Sequence, residues 1–173
     1  MVLKSLIVTI GIIVFLLLEF IFPKEKIKFK KKVSRISKNI FFWLVNIGIT
    51  PIIILPITIY ATQFEIHNLF KFDNLILSFL FHLIIVDVFL YWWHRLNHEI
   101  PFLWRFHHVH HLDETLDISS GVRFHFGEVI LSALVRSLLI IIFNISLVNL
   151  LLIEAVILIS SIFHHSNINL PKK

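Results

Sequence analysis

A long apolar run in this chain ends in two histidines, since residues 75–98 read LILSFLFHLIIVDVFLYWWHRLNH. Between residues 75 and 93 the run holds a single carboxylate and no lysine or arginine. A helix that crosses the hydrocarbon core of a bilayer needs roughly 20 mostly apolar residues, which this run supplies. It predicts a membrane-spanning helix that delivers His94 and His98 to one bilayer face.

Four more apolar stretches accompany this one, and they cover residues 6–22, 40–61, 129–143 and 147–163. Of the 173 residues, 57% are hydrophobic and 16% are charged, whereas about 25% are charged in a typical soluble domain. A single soluble core of this size could not bury so much apolar surface. The predicted fold class is therefore all-α integral membrane, with four to five transmembrane helices arranged as hairpins.

The basic residues are concentrated in one run, because eight of the 16 lysines and arginines lie between Lys24 and Lys38. Such a run can bind RNA. Beside hydrophobic spans it is more typical of a cytoplasmic loop that contacts anionic lipid, so we expect no nucleic-acid partner. We divide the chain into an N-terminal membrane hairpin with a basic loop over residues 24–38, covering residues 1–74, and a second region, residues 75–173.

The basic loop also predicts the topology of the later helices. If it is cytoplasmic, successive helices place the segment from His94 to Arg123 on the cytoplasmic side as well, and then His164 and His165. Every histidine after position 90 falls on one face, although histidine played no part in setting the topology. The charge pattern thus predicts a multi-pass membrane protein with a cytoplasmic histidine cluster.

Six of the 11 histidines lie within 18 residues, and they are His94, His98, His107, His108, His110 and His111. The first two stand four residues apart, so on a helix their side chains are neighbours. His107, His110 and His111 have the spacing i, i+3, i+4, which predicts one face of a second helix that begins near Pro101. His108 points away from that face.

A bound metal ion best explains why five imidazoles lie together. Without one, the rings would repel one another on protonation, and no interaction would compensate their loss of hydration. The chain has no cysteine, so the ligands are nitrogen and oxygen atoms, which suit zinc, copper, iron or nickel. Five ligands exceed the four of a closed structural zinc site and indicate two metals or open positions. An HExxH protease motif is excluded, because Phe102 stands where its second histidine would fall.

Asp87 lies on the predicted helix face that carries the first histidine pair. Its carboxylate could fix the tautomer of a ligating imidazole, or it could pair with Arg95 or Arg136, and both interpretations stay open. His67 and His82 precede the cluster, and we interpret them as hydrogen-bonded structural residues.

Several short motifs follow one another in a fixed order: DVFLYWWHRLNH at 87–98, PFLWRFHHVHH at 101–111, LD at 116–117, RFH at 123–125 followed by Glu128, and HSN at 165–167. In this order they resemble the fatty acid hydroxylase/sterol desaturase superfamily of membrane di-iron oxygenases. In that family HxxxH and HxxHH boxes ligate the metals. The resemblance covers about residues 75–171.

The resemblance implies a set of metal ligands on the matching positions, namely His94, His98, His107, His110, His111 and His165. His125 belongs to the Arg-Phe-His element, and His164 precedes the last matched histidine. Together with Asp87 they are further candidates, either as ligands or as residues that hold a ligand in place.

The resemblance also implies two ferrous ions, which zinc can replace in preparations, and the O2-dependent hydroxylation or desaturation of a membrane lipid, a fatty acid or a sterol-like molecule. The electrons would come from an external donor, because the sequence has no flavin or haem motif. Two other functions stay open: a membrane metal-binding protein, and a catalytically inactive, truncated member of the family.

Family members carry a third box, another HxxHH, followed by short Asn-Tyr-Gly and Trp-Asp segments. This sequence stops at Lys173, before such a box. On the resemblance, three further ligands are expected outside these residues. They would belong to a longer gene product or to a partner chain, or they would have been lost together with the activity.

Overall fold

The computed structural model describes residues 2–64, 70 and 72–169, and these ranges are mostly helical. They contain α1 Val2–Ile21, α2 Phe29–Ile49, α3 Leu55–Ala61, α4 Leu75–Glu99, α5 Pro101–His107, α6 Phe126–Phe143 and α7 Leu147–His165. No strand occurs in the described ranges, where an isolated bridge pairs Pro23 with Ile168. The predicted all-α class is confirmed.

Four segments of the described chain are long and apolar enough to cross a membrane: Phe29–Ala61, α4, α6 and α7. The apolar part of α1, Ser5–Ile21, is somewhat shorter. This agrees with the predicted four to five transmembrane helices. Within the first segment a π-helical turn, Thr50–Ile54, joins α2 to α3. It contains Pro51, which lacks the N–H needed to continue an α-helix, so the backbone widens there.

The basic run is more helical than predicted. We expected a loop over residues 24–38, but α2 already begins at Phe29, so only a short connection separates it from α1. Lysine is a good helix former. In addition, Arg35 and Asn39 are buried against the loop that follows α5. Contacts on one face of the helix thus extend it into the basic run.

The carboxylate of Asp113 attaches that loop to α2. Its Oδ1 accepts hydrogen bonds from Arg35 and Arg123, both at 3.1 Å. Its Oδ2 accepts a third from Asn39 at 2.9 Å. Arg35 also pairs with Asp117 at 3.1 Å, so two guanidinium groups face two carboxylates and the buried charges cancel. Removing any one partner would leave an uncompensated buried charge, which is why the network acts as a unit.

One end of the helix bundle carries the C-termini of α4 and α7, and we call it the box end. The N–H of Lys24 donates to the carbonyl of Asn167 at 3.0 Å, which places the basic connection there. The Glu19 carboxylate accepts the N–H groups of Ile118 and Asn167, so α1 is attached at the same place. The basic run and the clustered histidines therefore share one end, as the predicted topology requires.

At the opposite end α6 turns into α7 through a short turn at residues 144–146. Asn144 adopts a left-handed backbone conformation with φ of 50°. The Ser146 side chain then caps α7 by accepting the N–H of Asn149. Because asparagine tolerates the left-handed region and serine is a favoured N-cap, the sequence of this turn suits a tight hairpin.

His82 joins α4 to this hairpin at the same end. Its Nε2 donates to the carbonyl of Phe143 at 3.0 Å, and its Nδ1 accepts from the Asn149 amide at 3.0 Å. The same amide donates to the Ser78 hydroxyl at 2.9 Å. This is the structural role predicted for His82. The corresponding prediction for His67 lies outside the described residues.

Replacing Asn149 by alanine should destabilise the protein, because His82 Nδ1 and the Ser78 hydroxyl lose a buried donor. We expect the free energy of unfolding in mixed micelles to fall by about 1–3 kcal/mol. The control is Val148→Ala on the same helical turn, where the side chain is exposed. It should change the value by less than about 0.5 kcal/mol. Equal losses in the two variants would contradict this role of Asn149.

Candidate metal centre

The C-terminal turns of α4 carry the first histidine pair. His94 and His98 lie one helical turn apart, and their Nε2 atoms are 3.2 Å apart. The indole N–H of Trp93 donates to the Ser132 hydroxyl at 2.8 Å, which ties this part of α4 to α6. Both imidazole rings are exposed, so this side of the site opens outward at the box end.

We predicted one continuous helix for the second group of histidines, and the structure differs. Helix α5 begins at Pro101 as expected but ends at His107, and a 3-10 turn then covers His110–Leu112. The tighter turn changes the direction of the rings. His111 faces His107, with their Nε2 atoms 3.1 Å apart, whereas His110 faces α7. The motif is thus divided between two clusters.

The first cluster consists of four imidazoles, those of His94, His98, His107 and His111. Their ligating nitrogens all lie within 4.8 Å of one another. Metal–imidazole bonds of about 2.0–2.1 Å place the nitrogens around one ion roughly 3–4 Å apart. The donor set therefore fits one divalent transition-metal ion with little rearrangement.

The second cluster is a pair formed by His110 and His165 of α7, whose Nε2 atoms lie 2.9 Å apart. The Nδ1 of His110 donates to the carbonyl of Arg123 at 3.2 Å, and that of His165 donates to the carbonyl of Ser161 at 2.7 Å. Because a carbonyl only accepts, both Nδ1 atoms carry the proton and both neutral rings direct a lone pair from Nε2. Two lone pairs at this distance repel unless a cation lies between them.

Glu128 holds a ligand of the first cluster. This buried residue in the first turn of α6 accepts the Nδ1–H of His107 at 2.8 Å. A carboxylate at Nδ1 fixes the tautomer that leaves Nε2 free for a metal and raises its basicity. The sequence makes Asp87 a candidate for this role, with an ion pair as the alternative, and gives Glu128 only as part of a motif. One sequence feature could have indicated Glu128: it is a carboxylate three residues after His125, at the start of an otherwise apolar helix.

The remaining predicted residues lie around the clusters. Asp87 is exposed on the wall of a cavity beside His94, and in the described part of the chain it has neither a hydrogen bond to a histidine nor an ion pair. Of its two proposed cationic partners, Arg95 pairs with Glu99 and Arg136 with Glu154.

His125 and His164 take other positions. The Nδ1 of His125 accepts the N–H of Gly127, so this histidine caps α6, and its ring packs against Phe106 with ring centroids 5.3 Å apart. His164 is exposed on the wall of the cavity beside His165. Neither belongs to the two clusters that the structure forms.

That cavity has a volume of about 560 Å³ and lies between α4, α6 and α7. One part of it is bounded by His94, Glu128 and His165, and another by apolar side chains such as Leu83 and Val156. It therefore connects the histidine clusters with the interior of the membrane-spanning bundle. Its volume and its apolar part suit an apolar segment of a ligand held beside the clustered imidazoles, while Asp87 and Arg136 add charged groups to its wall.

The sequence model of the fatty acid hydroxylase family matches residues 79–173, which is more than half of the chain. The chain belongs to the fatty acid hydroxylase family. Comparisons with curated proteins and with solved structures give no match. Membership in this family of oxidoreductases supports a general function in lipid hydroxylation or desaturation. The family's use of metal agrees with the cluster that could bind one.

Loss of hydration and the neighbouring imidazoles keep two of the box histidines neutral. Loss of hydration, followed by repulsion from neighbouring imidazoles, lowers the pKa of His111 to about 4. The same two causes lower the pKa of His110 to about 3, with His165 as the main neighbour. Only a neutral imidazole ligates a metal, so these rings are in the ligating form at neutral pH.

Glu128→Ala should weaken metal binding without changing any ligand, because the His107 ring loses the group that orients it. Loss of such a partner typically weakens affinity by about 10–100-fold. The measurement is a Zn²⁺ titration of the purified full chain in competition with a chromophoric chelator. The control, Glu25→Ala, removes an exposed carboxylate at the same end. If the two variants bind Zn²⁺ equally well, Glu128 does not support the site.

The metal-free protein should lose stability in acid. Between about pH 6.5 and pH 4 the unfolded chain protonates His111 while the folded chain does not, since the folded pKa is lowered to about 4. The unfolded state then binds more protons, so the free energy of unfolding falls as the pH falls. We expect a smaller slope in His111→Asn, measured by unfolding in mixed micelles at several pH values. A slope that the substitution leaves unchanged would contradict the lowered pKa.

Proposed function

We propose that this protein is an O2-dependent di-iron oxidoreductase that hydroxylates or desaturates a membrane lipid. The observation that carries the proposal is the convergence of six imidazoles, in two clusters, beside a partly apolar cavity within the membrane-spanning bundle. Family membership supports a fatty acid or a sterol-like lipid as the substrate.

The two histidine clusters would hold two iron ions. His94, His98, His107 and His111 would ligate one ion, while His110 and His165 would contribute to the other. Imidazole ligands suit iron and zinc alike, so zinc would compete for the same positions in preparations. The chemistry that bound iron would supply is the activation of O2 for oxidation of a C–H bond.

The chain's own contribution is to orient the ligands before a metal arrives. Hydrogen bonds at Nδ1 hold His107, His110 and His165 in the tautomer that leaves Nε2 free. Their acceptors lie on α6, on the loop before it, and on α7. Imidazole rings that are already oriented need little reorganisation when a metal binds, which favours both the affinity and a fixed ligand geometry.

The substrate would enter the cavity from the bilayer and place its apolar segment between α4, α6 and α7. Leu83, Leu90 and Val156 would contact that segment, while His94 and His165 mark the part of the cavity nearest the reacting carbon. Apolar walls exclude water from the reacting groups and hold the chain beside them. The position of the oxidised carbon would follow from how far the lipid extends into the cavity.

The electrons for O2 reduction would come from an external donor. The exposed side of the first cluster, with His94, His98 and His111, gives such a donor an approach at the box end. The basic run lies at this end too, and an excess of lysine and arginine favours the cytoplasmic side of a membrane. We therefore place the clusters and the donor on the cytoplasmic side.

Lipid analysis of membranes that contain the full chain tests the proposed function. We expect lipid species that have gained one oxygen atom or lost two hydrogens, and that require O2 and bound iron. His107→Ala should reduce them to background. His108→Ala should retain them, because the His108 Nδ1 donates to the carbonyl of Arg105 and the ring lies outside both clusters.

Two results would contradict this function in different ways. Bound iron without any oxidised lipid, in membranes of varied lipid composition, would favour a membrane metal-binding protein. A helical protein that binds neither iron nor zinc would favour a catalytically inactive member of the family. Metal analysis and circular dichroism of the same preparation separate these two results.

A further inference from the structure

A second cavity at the box end is strongly basic. It has a volume of about 680 Å³ and lies between the first turns of α2 and the loop after α5. Its lining includes six cationic and two acidic side chains: Lys28, Lys30, Lys31, Arg35, Lys38, Arg123, Asp113 and Glu114. We call it the basic cavity. Asp113 and Asp117 compensate the two arginines and Glu114 compensates Lys31, so three lysines are left in excess, and their charge at a concave surface attracts an anion.

Arg123 gives this cavity a buried polar group that lacks a partner. The residue is only 6% exposed, and its Nη1 donates to Asp113 and Asn39. Its Nε is also buried, yet it has no hydrogen-bond partner in the described ranges. A buried N–H without an acceptor is unfavourable. Arg123 lines the basic cavity, so an anion bound there would lie beside a guanidinium group whose donors are not all paired.

The length of the first candidate membrane span indicates where the basic cavity lies relative to the bilayer. The candidate membrane span Phe29–Ala61 has 33 residues, while roughly 20 are enough to cross the hydrocarbon core. The basic first turns of α2 therefore extend into the headgroup region. On the same turns Phe29 is 83% exposed and Val33 is 50% exposed. Exposed apolar side chains between lysines are typical of a surface that lies at the membrane interface.

We propose that the basic cavity binds the phosphate headgroup of an anionic membrane lipid. Lys28, Lys30 and Lys38 are exposed and line the cavity, and the buried guanidinium of Arg123 lies in its wall. Lys31 is already paired with Glu114 at 2.7 Å. Charge-assisted hydrogen bonds to phosphate oxygens would hold the headgroup, while the acyl chains stay in the bilayer beside α2. This site is separate from the substrate cavity and does not depend on the proposed oxidation.

Arg123 also connects the basic cavity with the metal centre. Its backbone carbonyl accepts the Nδ1–H of His110, and its side chain binds Asp113, two residues after His111. A headgroup that fixes Arg123 therefore stabilises the loop that positions His110. We expect an anionic lipid to slow amide hydrogen exchange in residues 110–123, including in metal-free protein.

The test uses paired variants with equal changes in charge. Lys28→Gln with Lys30→Gln removes two cations from the basic cavity. The control variant, Lys24→Gln with Lys26→Gln, removes two cations from the same basic run, but neither of these residues lines the basic cavity. Phosphatidylglycerol and phosphatidylcholine retained by the purified full chain are measured by native mass spectrometry. We expect selective retention of phosphatidylglycerol, weakened roughly tenfold or more in the first variant and less than about twofold in the second.

Circular dichroism first establishes that both variants are folded. The site is supported if the wild type and the Lys24/Lys26 variant retain phosphatidylglycerol selectively and the Lys28/Lys30 variant does not. Equal loss in the two variants overturns it, because that result indicates diffuse attraction by the whole basic run. Displacement by inorganic phosphate at equal concentration overturns the assignment to a lipid. Preferential binding of poly-L-glutamate also overturns it and would indicate an acidic protein partner.

Discussion

Hydrogen bonds at Nδ1 determine what the clustered histidines of this protein can do. Each of three rings donates its Nδ1 proton to an oxygen that is fixed by backbone or burial: the Glu128 carboxylate and the carbonyls of Arg123 and Ser161. The Nε2 atoms are then unprotonated, and they face other imidazoles at distances near 3 Å. Such an arrangement is repulsive on its own and favourable around a cation. The lowered pKa values of His110 and His111 agree, since loss of hydration and repulsion between the imidazoles disfavour a proton at these rings.

The rest of the fold supplies these acceptors at the right places. Helices α4, α6 and α7 all have one terminus at the box end, so a residue from each can meet there. The loop between α5 and α6 is attached to α2 through Asp113, which brings the carbonyl of Arg123 against His110. The basic first turns of α2 thus have two roles. They bury Arg35 and Asn39 under the loop, and they surround the basic cavity.

Much of this arrangement could be predicted from the sequence. Apolar length gave the membrane-spanning helices, and the charge of the basic run placed the later histidines at one end. The spacing of His94 and His98 gave a correct neighbour pair, because both lie on one regular helix. The same rule failed for His107, His110 and His111, since the helix ends at His107 and a 3-10 turn follows. Whether a helix continues past such a point depends on tertiary contacts, which spacing does not contain.

Glu128 shows a second limit of prediction. Asp87 shares a helix face with the first histidine pair, and that local pattern made it the better candidate. Glu128 is 21 residues from His107 in sequence, and the packing of α5 against α6 brings them together. The start of α2 was placed too late for a similar reason, because its contacts with the loop after α5 are also distant in sequence. Local periodicity found the histidines, while the residues that orient them required the fold.

The most direct test of the account is X-ray absorption at the iron edge of the iron-loaded full chain. We predict a nearest shell dominated by nitrogen, together with the outer-shell scattering that is characteristic of several imidazole rings. A nearest shell of oxygen without imidazole scattering would contradict the claim that the Nε2 atoms of the clustered histidines ligate the metal.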